Sequence, residues 1–249
     1  DDWGRLVEVV EPQDTSNGSV TATGNMVTRY EYDSVDQLAK ITQGSQTREF
    51  KYDSLGRMLA QKLAEQEATI NDSGTYVGAA GSGRKWSDYF TYDNKNNLTQ
   101  RIDTRGVKTN FVYNSDALNR LQSINFDKTG ADTSKGTIHE APNITYTYMT
   151  AGDKERIYTV ASAGVSTETY TYDTEGRVSN YKMSMTGRTS YPLETSYLYD
   201  TAHRLTEVRY PAQYGMSGTP RKTVNVTYDQ TSRLKDLKVN NSAQMDQIS

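Results

Sequence analysis

The sequence predicts an all-β chain: a repeat array of antiparallel β-hairpins laid side by side in one curved sheet. Three observations predict it. A nine-residue phrase recurs along the chain. One position inside that phrase carries residues suited to a left-handed backbone. The composition is too poor in aliphatic residues for a thick two-layer core. The phrase is clearest at Tyr170-Thr171-Tyr172-Asp173-Thr174-Glu175-Gly176-Arg177-Val178 and returns at Phe50-Lys51-Tyr52-Asp53-Ser54-Leu55-Gly56-Arg57-Met58. A third full copy runs from Tyr30 to Leu38, and weaker ones span 90–98, 197–205 and 226–234. The copy at 111–121 carries two extra residues before its aspartate, the chain opens on a half copy at Asp1 to Leu6, and 146–157 reads as a decayed copy.

The phrase reads as a hairpin. Aromatic residues two apart put two rings on one face of a strand; the pairs are Tyr30 and Tyr32, Phe50 and Tyr52, Phe90 and Tyr92, Phe111 and Tyr113, Tyr170 and Tyr172, and Tyr197 and Tyr199, with Tyr228 alone in the last copy. An aspartate follows, at Asp33, Asp53, Asp93, Asp116, Asp173, Asp200 and Asp229. Its carboxylate is suited to accept a backbone N–H two residues on and so to start a turn. A three-residue hairpin loop commonly ends in a residue at positive φ, which favours Gly, then Asn, Asp or His. The third residue after the aspartate is Gly4, Asp36, Gly56, Asn96, Asn119, Gly176, His203 or Ser232, so seven of eight copies obey and only Ser232 departs. Two positions later an aliphatic residue resumes the strand, from Leu6 to Leu234.

Composition points the same way. Leu, Ile, Val and Phe make up 41 of 249 residues, below the share that globular cores usually hold. The 19 tyrosines fall in register and the net charge is only −3, which argues against disorder. Cohesion is therefore assigned to backbone ladders and cross-strand pairs, each contributing roughly 0.2–1 kcal/mol. The 28 basic and 31 acidic residues are mixed, without the basic stripe of a nucleic-acid binder. No apolar run approaches the roughly 20 residues that span a bilayer. The absence of cysteine excludes a disulfide scaffold and thiol chemistry.

In chain order, 7–10 continues a strand and 11–25 reads as a long loop. The hairpins about Asp33 and Asp53 follow, 20 residues apart, a spacing typical of arrays, solenoids or propellers. Further long loops are expected at 64–88, 127–143 and 211–222, and Gln61 to Ile70 has the pattern of a short helix. The whole is read as a single array, 1–249, of about nine hairpins cut from a longer protein. The Tyr-Asp turns are expected along one edge and the variable connections along the other. A β-propeller with two hairpins per blade is the alternative architecture, but odd and even hairpins show no alternation.

These phrases resemble the YD repeat, also called the Rhs repeat, over most of the chain. Phe90 to Leu98 lacks the Gly-Arg pair, and Tyr146 to Ile157 lacks the Asp. The family includes bacterial Rhs polymorphic toxins, the C-component of Tc toxin complexes and the extracellular teneurins. The resemblance implies a spirally wound sheet forming a hollow shell, which in the toxins encloses a C-terminal effector and is closed by an aspartate-based autoproteolytic core. No such core segment is found here, so the chain is expected to be shell wall without plug, protease or cargo. The implied partners are neighbouring repeats of the same parent chain and an enclosed effector domain, in a secreted or envelope-exported bacterial protein.

Other chemistry is weaker. Repeated carboxylates suit a glycosidase pair only superficially, because a catalytic pair would not be copied at every turn. His139 and His203 are the only histidines; His203 holds a turn position, and His139 beside Glu140 carries little specificity as a base. The run 93–97 lacks the glycine and the final glutamate of a calcium loop. The glycine-rich 78–85 lacks Gly-Lys-Ser/Thr entering a helix, and a flexible linker is the better reading. No enzyme activity, cofactor or metal is expected. The alternative function is an adhesive or glycan-binding surface that uses the long loops or exposed tyrosines and Trp86. The arginine after the turn, as at Arg57 and Arg177, is expected to tie one hairpin to the next.

Overall fold

The computed structural model describes residues 1–11, 26–115, 117–152, 155–188, 193–212, 221–241 and 244–248. Asp116 and most of the 11–25 and 211–222 segments lie outside the described residues. The chain forms two compact units, Asp1–Phe111 with Phe126–Ala141, and Val112–Asn125 with Pro142–Ser249.

In the first unit the strands are β1 (Glu8–Glu11), β2 (Met26–Tyr32), β3 (Leu38–Gln43), β4 (Gln46–Tyr52), β5 (Met58–Lys62), β6 (Ile70–Asn71), β7 (Arg84–Trp86), β8 (Asp88–Tyr92), β9 (Leu98–Ile102) and β10 (Lys108–Tyr113). Each pairs antiparallel with the next, except that β5 pairs with β8 and the short β6–β7 pair stands apart. In the second unit the strands are β11 (Leu121–Asp127), β12 (Ile144–Tyr148), β13 (Ile157–Ser162), β14 (Ser166–Tyr172), β15 (Val178–Met185), β16 (Leu193–Tyr199), β17 (Leu205–Arg209), β18 (Thr223–Tyr228), β19 (Leu234–Asn241) and β20 (Gln244–Ile248). These form an uninterrupted antiparallel ladder in chain order.

Among the described residues the fold is all β, a repeat array of antiparallel hairpins. The helix expected over Gln61 to Ile70 is absent. Gln61 belongs to β5, and Ile70 opens β6 with its ring of contacts fully buried. Burial of Ile70 and extended pairing there override a weak local helix preference.

At each Tyr-Asp turn the ladder shifts by one residue, so that the second tyrosine opposes the aliphatic residue: Tyr32 faces Leu38, Tyr52 faces Met58, Tyr172 faces Val178 and Tyr228 faces Leu234. This is a bulge with one extra residue on the returning strand. The residue between the aromatics, such as Glu31, Thr91, Thr171 or Leu198, is exposed, while both aromatics are half-buried. Alternation therefore separates a tyrosine face from a polar face. On the polar face hydroxyls pair, as Thr91 with Thr99 at 3.2 Å and Thr147 with Thr159 at 2.5 Å.

The apolar core is small and local. The buried hydrophobic residues among those described are Ala60, Ile70, Trp86 and Ile102, with Tyr76 and Tyr89 packed against them. The 64–88 segment is thus a folded insertion that carries β6 and β7, and its glycine-rich part is no free linker. Thr69 N–H donates to the Trp86 carbonyl at 3.0 Å, and Ser87 N–H to that of Gln61 at 2.8 Å. Asp88 is buried and accepts from Arg101 Nη2 at 2.7 Å and Gln61 Nε2 at 2.9 Å. A buried carboxylate needs such partners, because an unpaired one is very costly.

Candidate functional site

The repeated feature of the molecule is the joint between one Tyr-Asp hairpin and the next. It begins with the turn. Asp53 Oδ1 accepts the N–H groups of Leu55 and Arg57, each at 2.9 Å. Gly56 N–H donates to the Asp53 carbonyl at 3.0 Å and Asp53 N–H to that of Arg57 at 2.9 Å. Asp33, Asp93, Asp173, Asp200 and Asp229 make the same pair of Oδ1 bonds, and so does Asp1. The third residue after each is left-handed, with φ of 65° at Asp36, 79° at Gly56, 67° at Asn96, 49° at Asn119, 80° at Gly176 and 62° at His203. Ser232 also adopts 65°, so the backbone pose belongs to the position and not to the residue type.

The carboxyls of Asp53, Asp93, Asp173, Asp200 and Asp229 are held below the ordinary aspartate range. Asp93 is lowered by the side chain of Asn97, Asp200 by the backbone N–H of Arg204, and Asp229 by the Thr231 hydroxyl. At Asp53 and Asp173 burial pushes upward, and hydrogen bonds from Arg57 and Arg177 outweigh it. Donors aimed at a carboxylate favour its charged form.

The arginine after the slot does three things. Its Nε donates to its own turn aspartate at 2.7 Å in Arg57, Arg177 and Arg204. Its Nη1 reaches the next turn: Arg57 meets Asn96 Oδ1 at 2.9 Å, Arg177 meets His203 Nδ1 at 3.0 Å, Arg204 meets Ser232 Oγ at 3.1 Å and Arg5 meets Asp36 Oδ1 at 2.5 Å. Its guanidinium also lies over the second tyrosine of the next hairpin. The distances are 4.9 Å for Arg5 over Tyr32, 4.7 Å for Arg57 over Tyr92, 4.6 Å for Arg177 over Tyr199 and 4.6 Å for Arg204 over Tyr228. The tyrosine hydroxyl in turn donates back to the aliphatic residue of the preceding hairpin. Tyr92 reaches the Met58 carbonyl at 2.9 Å, Tyr199 that of Val178 at 3.0 Å and Tyr228 that of Leu205 at 2.9 Å.

The slot residue therefore answers two demands at once. It must tolerate positive φ, and it must suit the arginine arriving from the hairpin before. Asp36, Asn96, His203 and Ser232 supply an acceptor. Ser232 departs from the conformational preference and still satisfies the second demand. Gly176 meets it differently, since a Cβ there would fall within the Arg156 guanidinium.

Arg156 is a member that the phrase alone hides. The decayed copy lacks the aspartate directly after its second tyrosine, where Met149 stands, yet Arg156 lies 5.4 Å over Tyr172 and Tyr172 donates to the Ile157 carbonyl at 2.7 Å. Tyr148 likewise donates to the Leu121 carbonyl at 2.7 Å beneath Arg120. The signal was the dipeptide of arginine and an aliphatic residue, read without requiring an aspartate. Two further turns of the same geometry also lack the tyrosines: Asp103, with Gly106 at 82°, and Asn71, with Gly74 at 83°. Both are visible as Asx-x-x-Gly.

Among the aromatics, Tyr170 pairs with Tyr181 across β14 and β15 at 5.3 Å between ring centroids. Burial, then the Glu168 carboxylate that accepts its hydroxyl at 2.7 Å, pushes the Tyr170 phenol well above its usual range. Phe50, Phe90, Phe111, Tyr30, Tyr113 and Tyr197 lie half-buried on the same face of their strands as their partners. Trp86 is 3% exposed and donates its indole N–H to Asp72 at 3.0 Å. It is a core residue and offers no stacking surface, which corrects the glycan-binding role expected of it. His139 lines an open concavity of about 450 Å³ with Arg101, Arg105 and Lys128. Glu140 pairs there with Lys128 at 3.2 Å.

No family model matches the chain, and no curated protein matches it in sequence. Solved structures do. A crystal structure of TcdB2-TccC3 without the hypervariable C-terminal region superposes on 86% of the chain with a TM-score of 0.59 and 14% identity. Structures of TcdB2-TccC3-TEV and TcdB2-TccC3 cover 92% and 90% of it at TM-scores of 0.43 and 0.41, with 13% and 11% identity. The chain spans 10% of the first of these and 15% of each of the others. The first superposition establishes a shared fold, in keeping with the YD-repeat resemblance of the sequence. No helix of the described residues is long and apolar enough to cross a membrane.

Proposed function

We propose that this chain is a non-enzymatic stretch of repeat wall, whose role is to build an enclosure around an effector segment of the same parent polypeptide in a secreted or surface-exported protein. The observation that carries the reading is the joint. One arrangement of arginine, tyrosine and left-handed slot recurs between hairpins in both units, and its arginine bonds both its own turn aspartate and the neighbouring hairpin. Such a device serves extension of a sheet, because each unit stabilises only its neighbours and the array grows one hairpin at a time. The fold shared with a TcdB2-TccC3 structure supports the same reading, and the burial of Trp86 removes that residue from the alternative of a glycan surface.

Limited proteolysis of the polypeptide encoded by the full reading frame tests it. The effector segment is expected to resist trypsin while the joints are intact and to become cleavable when Arg57, Arg177 and Arg204 are replaced by alanine together. Cleavage at the same rate with intact and broken joints rejects enclosure.

A further inference from the structure

Three consecutive turns of the first unit carry large apolar side chains at their tips. Trp3, Val35 and Leu55 each follow a turn aspartate by two residues, and they are 80%, 68% and 69% exposed. Their backbone N–H groups are committed to the aspartates, so the turn itself is satisfied by any residue there. The same position holds Lys95, Glu175, Ala202 and Thr231 in the turns about Asp93, Asp173, Asp200 and Asp229, and one further apolar residue, Leu118 at 42% exposed, in the copy at 111–121. Folding thus does not require the apolar choice, and the choice is grouped. Exposed apolar residues gathered together mark contact surfaces more often than scattered ones do.

Two properties of the stripe define what fits it. The first is spacing. Turns 1–5, 33–37 and 53–57 lie on one edge of the ladder β1 to β5, so successive tips are two strands apart, about 9.5 Å. An extended segment repeats its side chains on one face about every 6.7 Å, out of step with the tips. A helix repeats at seven residues, about 10.5 Å, and keeps step across three turns. The second is charge. These three turns hold five carboxylates, Asp1, Asp2, Asp33, Asp36 and Asp53, against the guanidinium groups of Arg5 and Arg57. Arg5 pairs with Asp1 and Asp36, and Arg57 with Asp53, so the three turns keep an excess of three carboxylates over guanidinium groups. The turn at 93–97, by contrast, has one acid and one base.

We propose that Trp3, Val35 and Leu55 form a docking stripe for a cationic amphipathic helix of another polypeptide. Leucine-like residues seven apart meet the tips, and lysines or arginines flanking them meet the turn carboxylates.

The intact chain carries its own reporter, because Trp3 is exposed while the only other tryptophan, Trp86, is 3% exposed. The probe is a synthetic peptide of leucine and lysine with leucines at helical spacing. Controls have the same composition at alternating spacing, or glutamate in place of lysine. The helical cationic peptide is expected to shift Trp3 emission to the blue saturably, with weakening at high salt. Val35→Ser with Leu55→Ser is expected to bind at least about tenfold more weakly, equivalent to about 1.4 kcal/mol, with an unchanged melting curve. The absence of a saturable shift, equal binding by the double variant, or equal binding of the alternating peptide overturns the proposal. So does a concentration-dependent Trp3 shift without peptide that the double variant abolishes, since a second copy of the chain is then the occupant.

Discussion

The 64–88 insertion and the Tyr-Asp joints hold the same kind of sheet together by opposite means. The insertion buries Ile70 and Trp86 completely or nearly so and seats Asp88 against Arg101 and Gln61. The joints bury no side chain completely; Arg57, Arg177 and Arg204 keep 24–30% of their side-chain surface exposed, and they work through directed bonds and ring contacts repeated along the ladder. Apolar burial is strong but needs mass that this sequence lacks elsewhere. Directed joints need only five residues per turn, so they can be copied. The difference implies that damage to the insertion is severe and local to the first unit, whereas damage to one joint is mild.

The largest expected effect is therefore Ile70→Ala, which leaves a cavity in the one packed cluster and costs about 2–5 kcal/mol. Hydrogen exchange should show the loss confined to the first unit's strands about β5 to β9; exchange accelerated equally in β14 and β15 would contradict the separation. Gly176→Ala comes next. Its backbone sits at a φ of 80° and its missing Cβ makes room for Arg156, so the conformational cost of about 1–2 kcal/mol is joined by loss of the Arg156 contact. Gly4→Ala, at 77° with nothing within 4 Å, carries the conformational cost alone. Equal melts for the two alanine variants would show that the arginine contact contributes nothing. Arg177→Ala should be milder, losing a ring contact of about 1 kcal/mol together with its bonds to His203, and it should lower the melting temperature. Tyr199→Phe should lower it less, since it keeps the ring and forfeits one hydroxyl bond.

Acid separates the regions too. Hydrogen bonds from Lys51 and then Trp86 hold the Asp72 carboxyl down to about 2. A carboxyl whose folded pKa lies below its unfolded value, near about 3.9, stabilises the fold fully above that value and ceases to do so as pH falls through the folded one. Stability should decline between about pH 4 and pH 2, and Asp53, Asp93, Asp173, Asp200 and Asp229, shifted in the same direction, steepen the fall. Asp72→Asn removes one titrating group and should flatten this limb, measured by denaturant melts at stepped pH; an unchanged slope would show that Asp72 is not coupled to folding.

Legibility in the sequence follows the range of the interaction. The turn is decided within five residues by one carboxylate and one backbone pose, so the hairpins around Asp53 and Asp173 can be read directly. The aliphatic poverty of the chain correctly implies a thin array. Ser232 cannot be understood locally, because its partner is Arg204, 28 residues away. Arg156 is hidden because its own turn has decayed while its neighbour Tyr172 has not. The insertion is least legible: 61–70 has helix-like spacing, and only the distant Trp86 and Ile102 make Ile70 a core strand residue. Trp86 looks like an exposed aromatic for the same reason.

Two Tyr-Asp hairpins lack the arginine, at Gln37 and Asn97, and the first offers the sharpest contrast with the others. At position 37, where most hairpins carry arginine, the chain has Gln37, whose Nε2 comes within 3.0 Å of where a Gly56 Cβ would sit. Asp33 holds its turn through Oδ1, but no arginine Nε meets its Oδ2 as one does at Asp53, Asp173 and Asp200. The Tyr52 phenol is pushed up by burial and then by the nearby Asp33 carboxylate. Gly56 leaves the same room here that Gly176 leaves for Arg156. Gln37→Arg should therefore pair with Asp33, cover Tyr52 and raise stability by roughly 0.5–1 kcal/mol, the range of an accessible cation–π contact. Gln37→Lys, which keeps the charge but lacks the planar fork, should gain less. If lysine matches arginine, net charge alone accounts for the gain, and the geometry shared by the other joints is incidental to their strength.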